Sequence, residues 1–182
     1  RGRGNAVTAG DIGYRYVVQT LQDRGASDVL FDMNSRYDVP GYGYQIAMGE
    51  TALAESWQSS DYLSHNHCML GHLYSWLFSG IGGISQESGS TAYKRIVIDP
   101  QIVGDLRDAR VSFRSPYGLI RSEWKDAPDE FVQTIEIPAN ATARICLPAT
   151  DPAKVTESGK PVSGRKDMAV ESGTDGRIEL HV

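Results

Sequence analysis

The chain has 182 residues, 40% hydrophobic and 23% charged, with a formal net charge of −5. That is room for one sizeable domain or two small ones, with an ordinary globular composition that excludes a disordered chain. The acidic balance argues against nucleic acid as a partner, because phosphate binding needs a basic surface. No apolar run approaches the ~20 residues of a membrane-spanning helix, so a membrane is not expected as a partner either.

The opening stretch, RGRGNAVTAG, has no initiator methionine and no signal-peptide pattern, and it is expected to be an internal start. The run DIGYRYVVQTLQDRG predicts a helix. Asp11 can cap it, Ile12, Tyr16, Val17 and Leu21 recur at three- and four-residue steps, and Gly25 can stop it. A second short helix is predicted over ASDVLFDMNSR, with Val29, Leu30 and Met33 on one face. Pro40, Gly41 and Gly43 then predict an irregular loop. ETALAESWQ favours a short helix, beginning at Glu50. NHCMLGHLYSWLFSGIGGI predicts a long apolar helix striped by Met69, Leu70, Leu73, Trp76, Leu77 and Ile81.

The period changes after a polar linker. YKRIVIDP, ARVSFRSPYG, LIRSEWKD, FVQTIEIPAN, ARICLPAT and GRIELHV are short alternating segments with turn residues between them, the pattern of an antiparallel β-sandwich. SPYG, KDAPDE and ESGKPV read as turns. The organisation expected is therefore α+β and multidomain: helices over residues 1–84, a linker over 85–92 and a β-sandwich over 93–182. Cys68 and Cys146 lie in differently patterned regions, so no disulfide framework is expected.

Chemistry-bearing residues concentrate in the first region. In GETALAESW, Glu55 lies among Ala52, Leu53, Ala54 and Trp57, where desolvation would raise its pKa and poise it to activate a water. A solvated helix residue is the other reading of the same pattern. Glu50, at the expected helix start, is assigned to the helix dipole. His65, His67, Cys68 and His72 do not place three ligands on one helical face, so neither a metal nor another cofactor is expected. His72 reads as a hydrogen-bonded core histidine. Tyr37, Tyr42, Tyr44 and Trp57 surround the stretch, and together with the acids and histidines they suggest a pocket for a polar ligand.

These segments, read in order, resemble the C-terminal part of the bacterial α-L-rhamnosidases, family 78 of the glycoside hydrolases. The carriers are the helix pair, the aromatic-glycine loop PGYGY, GETALAESW, the SHNH segment and the apolar run ending in GI, over about residues 9–84. The later β region matches more loosely, through Ile98 to Pro100 and Tyr117–Gly118. The resemblance implies about four helices of an (α/α)6 barrel followed by the β-sandwich, and inverting hydrolysis of terminal α-L-rhamnose. It implies Glu55 as general base, with His67, Trp57 and Tyr44 as substrate-binding residues, and it places the general acid upstream of this chain. Ala54 and Glu50 depart from the family pattern. The partners implied are rhamnose-containing glycosides or polysaccharides and the remainder of the barrel. Leu30, Phe31, Leu73 and Leu77 would otherwise lack cover, so self-association is expected of the chain alone. A non-catalytic carbohydrate-binding or structural module, and a helical-barrel glycosidase of other sugar specificity, remain the alternatives.

Overall fold

The computed structural model describes residues 4–173 and 175–182. It divides into two compact units. The first runs to Leu77 and takes in Gln101–Asp105, and the second comprises Phe78–Pro100 and Leu106–Val182.

In the first unit, α1 (Asp11–Asp23) and α2 (Ser27–Ser35) form as their periodicity predicts. Gly25, at φ +66°, makes the left-handed turn between them. The buried face of α1 is not the predicted one, however. Tyr14 and Val18 are enclosed, whereas Ile12 and Tyr16 are 78% and 62% exposed. The three- and four-residue spacing identifies an apolar stripe but not which of two adjacent stripes faces the core. The expected loop at residues 40–47 contains a short helix, α3 (Tyr42–Ala47), entered from Pro40 and Gly41. Gly43 is required there: a Cβ would lie 2.3 Å from the Arg36 carbonyl oxygen.

The expected helix over ETALAESWQ does not form, and residues 50–67 are turns and extended backbone. The long apolar helix is also absent as a single element. It breaks into a 3₁₀ turn (Cys68–Leu70), α4 (Leu73–Trp76) and a π-helical turn (Leu77–Ile81). Gly71, Gly80, Gly82 and Gly83 interrupt the run, and each lowers helix stability relative to alanine. Of the four side chains expected to lack partners, Leu30 and Leu73 are buried and Phe31 is half-buried, while Leu77 is 44% exposed. Residues 101–105 return to this unit, where Gly104, at φ +57°, lies against the Phe31 ring.

The second unit is built from strands. A five-stranded sheet runs β1 (Ile84–Gln86), β2 (Arg95–Ile98), β6 (Thr142–Leu147), β10 (Ile178–His181), β9 (Ala169–Ser172). A three-stranded antiparallel meander joins β3 (Asp108–Ser115), β4 (Gly118–Asp126) and β5 (Phe131–Glu136). The SPYG and KDAPDE turns close its two hairpins. ESGKPV closes a small hairpin of β7 (Thr156–Glu157) and β8 (Lys160–Pro161), with Ser158 and Gly159 both at positive φ. The larger sheet is not wholly antiparallel: β2 and β6 run parallel, Ile96 opposite Ala143, because the whole meander is inserted between them.

Ile84, Ile96, Ile98, Ala143, Ile145, Ile178 and Leu180 from the larger sheet pack with Ile120 of β4 in one core, which also includes Val111, Phe113 and Ile135 at its margin. Trp124 is buried and its indole N–H donates to the Ile81 carbonyl at 2.7 Å. Cys146, a buried free thiol near Arg144 and Glu179, has its pKa pushed up to about 11, mainly by burial.

Candidate active site

The site begins with an aromatic cluster inside the first unit. Tyr14 on α1 meets Trp57 edge-on at 4.8 Å between ring centroids, and Tyr42 on α3 meets Trp57 at 5.3 Å. Each polar atom in the cluster has a partner. The Tyr14 hydroxyl donates to Asn34 Oδ1 (2.9 Å), Asn34 Nδ2 donates to the Leu30 carbonyl (2.7 Å), and Trp57 Nε1 donates to the Ala9 carbonyl (2.7 Å). Tyr42 donates to the Leu70 carbonyl. Burial pushes the Tyr42 phenol up to about 12 and Tyr14 higher still, so both stay protonated as donors. Trp57 is 4% exposed in this chain and packs its ring against Tyr14 and Tyr42, so it anchors the loop that carries Glu55.

Beside this anchor, two loop segments are joined by backbone hydrogen bonds. The Glu55 N–H donates to the Ser64 carbonyl (2.8 Å), and the His67 N–H donates to the Leu53 carbonyl (2.6 Å). Ala54 is 1% exposed, whereas its neighbour Glu55 is exposed. Glu55 is exposed rather than desolvated, which overturns the expectation of an apolar setting drawn from its sequence neighbours. Its Oε2 accepts from the Ser64 N–H at 3.1 Å, which fixes one oxygen. Among the described residues, Oε1 has no protein hydrogen bond. His67 is half-buried on the facing segment, and Tyr44 is half-buried on α3. Glu55 and His67 therefore share one paired pair of segments, with α3 beside them.

Two residues here escaped sequence reading. Glu50 follows the C-terminus of α3, its N–H donating to the Gln45 carbonyl (3.0 Å), so the helix-dipole role expected for it does not apply. Instead Glu50, 9% exposed at its side chain, pairs with His65 Nδ1 at 2.7 Å and ties its loop to the segment that carries His67. Gln45 is buried, with its amide between Ala54 and Ser56. No sequence signal marked either one, because each acts on a partner ten or more residues away or on loop backbone. His72 also departs from expectation: its Nδ1 is buried without a hydrogen-bond partner. Among the described residues, no three His, Cys, Asp or Glu side chains gather as metal ligands, and no helix is long and apolar enough to cross a membrane.

Two family models lie end to end on the chain. Residues 1–81 match the bacterial alpha-L-rhamnosidase six-hairpin glycosidase domain, and residues 83–161 match the bacterial alpha-L-rhamnosidase C-terminal domain. A six-hairpin helical domain followed by a β domain defines the class as glycosidase. Within that class, the chain belongs to the bacterial α-L-rhamnosidase family.

An α-L-rhamnosidase of Streptomyces avermitilis is 30% identical over 158 residues, covering 82% of this chain and 15% of that protein. The crystal structure of a Streptomyces avermitilis α-L-rhamnosidase complexed with L-rhamnose superposes on all of this chain and 18% of that one, with TM-score 0.81 and 26% identity. The native Aspergillus terreus enzyme matches 81% of this chain and 18% of its own, with TM-score 0.72 and 31% identity. The chain thus spans less than a fifth of the length of these relatives.

Proposed function

We propose that this chain supplies the general-base side of an inverting α-L-rhamnosidase site, with Glu55 as the base. The observation that carries the reading is Glu55 itself: an exposed carboxylate on a paired loop, one oxygen held by the Ser64 N–H and the other open to a water. In the reaction, water forms a bond to the anomeric carbon as the bond to the leaving oxygen breaks. Glu55 takes the water's proton, and a general acid outside this chain gives one to the leaving oxygen. Inverting sites hold their two carboxyl groups roughly 6.5–9.5 Å apart, leaving room for the water. A loop anchored by the packed and hydrogen-bonded Trp57 suits that requirement. His67 and Tyr44, on the elements flanking Glu55, are the residues proposed to touch the sugar, a terminal α-L-rhamnose of a glycoside or polysaccharide.

The first unit also carries most of the exposed large apolar side chains, Ile12, Tyr16, Ile46, Met48, Tyr62 and Tyr74 among them. Exposed apolar side chains in such number are often covered in the whole protein, and the remaining hairpins of the glycosidase domain are the proposed cover. The test is Glu55→Gln in the full-length enzyme, assayed on an aryl α-L-rhamnoside. General-base contributions run at ~10²–10⁴-fold, so kcat is expected to fall by about that much with KM little changed. Wild-type turnover in the variant removes Glu55 from the mechanism.

A further inference from the structure

We infer that Gln45 is the positioning residue that holds Glu55 in place, an inference that rests on the general-base reading above. Gln45 is 3% exposed, among the most buried polar side chains of the first unit. Its Nε2 donates to the Ser56 carbonyl at 3.0 Å, and its Oε1 accepts from the Ala54 N–H at 3.4 Å. These two backbone groups stand immediately before and after Glu55. The N–H of Glu55 itself goes to Ser64. In a helix or a sheet, a ladder would satisfy all three groups. Here the backbone belongs to neither, and one side chain from α3 replaces the ladder.

The chemistry of that substitution is narrow. Among side chains of this length, only the glutamine amide offers a donor and an acceptor from one planar end: glutamate lacks the donor, arginine and lysine lack the acceptor, and methionine lacks both. Removing the amide leaves the N–H of Ala54, a residue 1% exposed, without its partner. Such a group seeks another partner by moving the backbone. A displacement of 1 Å at a reacting group can cost ~10²-fold in rate. The motion would also loosen the Ser64 N–H contact to Glu55 Oε2.

The experiment compares Gln45→Met, similar in length and without hydrogen bonds, with wild type and Glu55→Gln. It uses the full-length enzyme and an aryl α-L-rhamnoside, and includes the Gln45→Met/Glu55→Gln double variant. Gln45→Met is expected to lower kcat about tenfold to hundredfold, with KM within about twofold, and to lower it little further once Glu55 is already glutamine. A purely structural role lowers kcat by the same factor in both backgrounds. That result, or wild-type kcat, overturns the inference. If Gln45→Met does not fold, Gln45→Glu, which keeps the acceptor and loses the donor, carries the same comparison with the same outcomes. Wild-type turnover in Glu55→Gln would overturn the general-base reading itself, so the two failures are distinguishable.

Discussion

The two units bury apolar surface in opposite ways. In the β unit, eight aliphatic side chains of two facing sheets, from Ile84 to Leu180, are each under 8% exposed, and among the described residues only Tyr117, Val132 and Val182 are large apolar residues left open. In the helical unit the core is aromatic and hydrogen-bonded, built on Tyr14, Trp57 and Trp76, while nine large apolar side chains among the described residues remain exposed. Paired strands satisfy their backbone within the sheet, so their side chains are free to form a dry core. The helical unit contains a long irregular loop. Its backbone needs polar partners, and the residues that supply them (Gln45, Asn34 and the indole N–H of Trp57) occupy interior positions that aliphatic groups hold elsewhere.

The comparison can be broken by large-to-small substitutions in each unit. Trp57→Ala removes the ring on which Tyr14 and Tyr42 pack and leaves the Ala9 carbonyl unpaired. It is expected to cost about 3–5 kcal/mol, read as loss of cooperative urea unfolding by the helical unit. Ile120→Ala in the β unit deletes one of many aliphatic contacts and is expected to cost about 2–5 kcal/mol. Equal sensitivity of both unfolding transitions to Ile120→Ala would show that the two cores are not independent.

A smaller effect concerns exposed surface. Ile12→Ser together with Tyr16→Ser is expected to change stability by no more than about 0.5 kcal/mol per site, while lowering self-association of the chain in light scattering. Unchanged association would place the sticky surface elsewhere. The smallest effect is electrostatic. Arg165 bonds to Glu157 and Asp167, whose pKa values are held below the ordinary carboxylate range, by hydrogen bonds to Ser158 and then Arg165 for Glu157 and to Arg165 for Asp167. Because the folded-state values are depressed, the contribution is complete above the ordinary carboxylate pKa and fades as pH falls through the folded values. Arg165→Ala is expected to lower thermal stability slightly at neutral pH, with the difference from wild type closing as pH falls along the acid limb. An identical acid limb would show that the cluster contributes nothing.

Much of the fold was legible because it is periodic. α1, α2 and the strands of the meander follow from spacing and turn residues alone. β1 and β9 were not legible, being three and four residues long and, in β9, mostly exposed. The stretch 48–67 was legible as chemistry but not as structure. Its motif singled out Glu55 and His67, but local composition suggested a helix and an apolar setting for Glu55. The hydrogen bond between His67 and Leu53 reverses both in this chain, since it depends on a loop partner fourteen residues away that no local window contains. The anchoring role of Trp57 was not legible for a related reason: an aromatic beside an acid looks the same in sequence whether it packs inward or faces out.

The two cysteines fall one in each unit, and their surroundings differ as the units do. Cys68 is exposed; Cys146 is buried and carries a thiol titrating near 11. Reaction at sulfur requires the thiolate. At neutral pH, then, the chain contains its own stopwatch. A thiol reagent reaches the exposed Cys68 directly, whereas Cys146 is reached only as fast as the sheet around β6 opens.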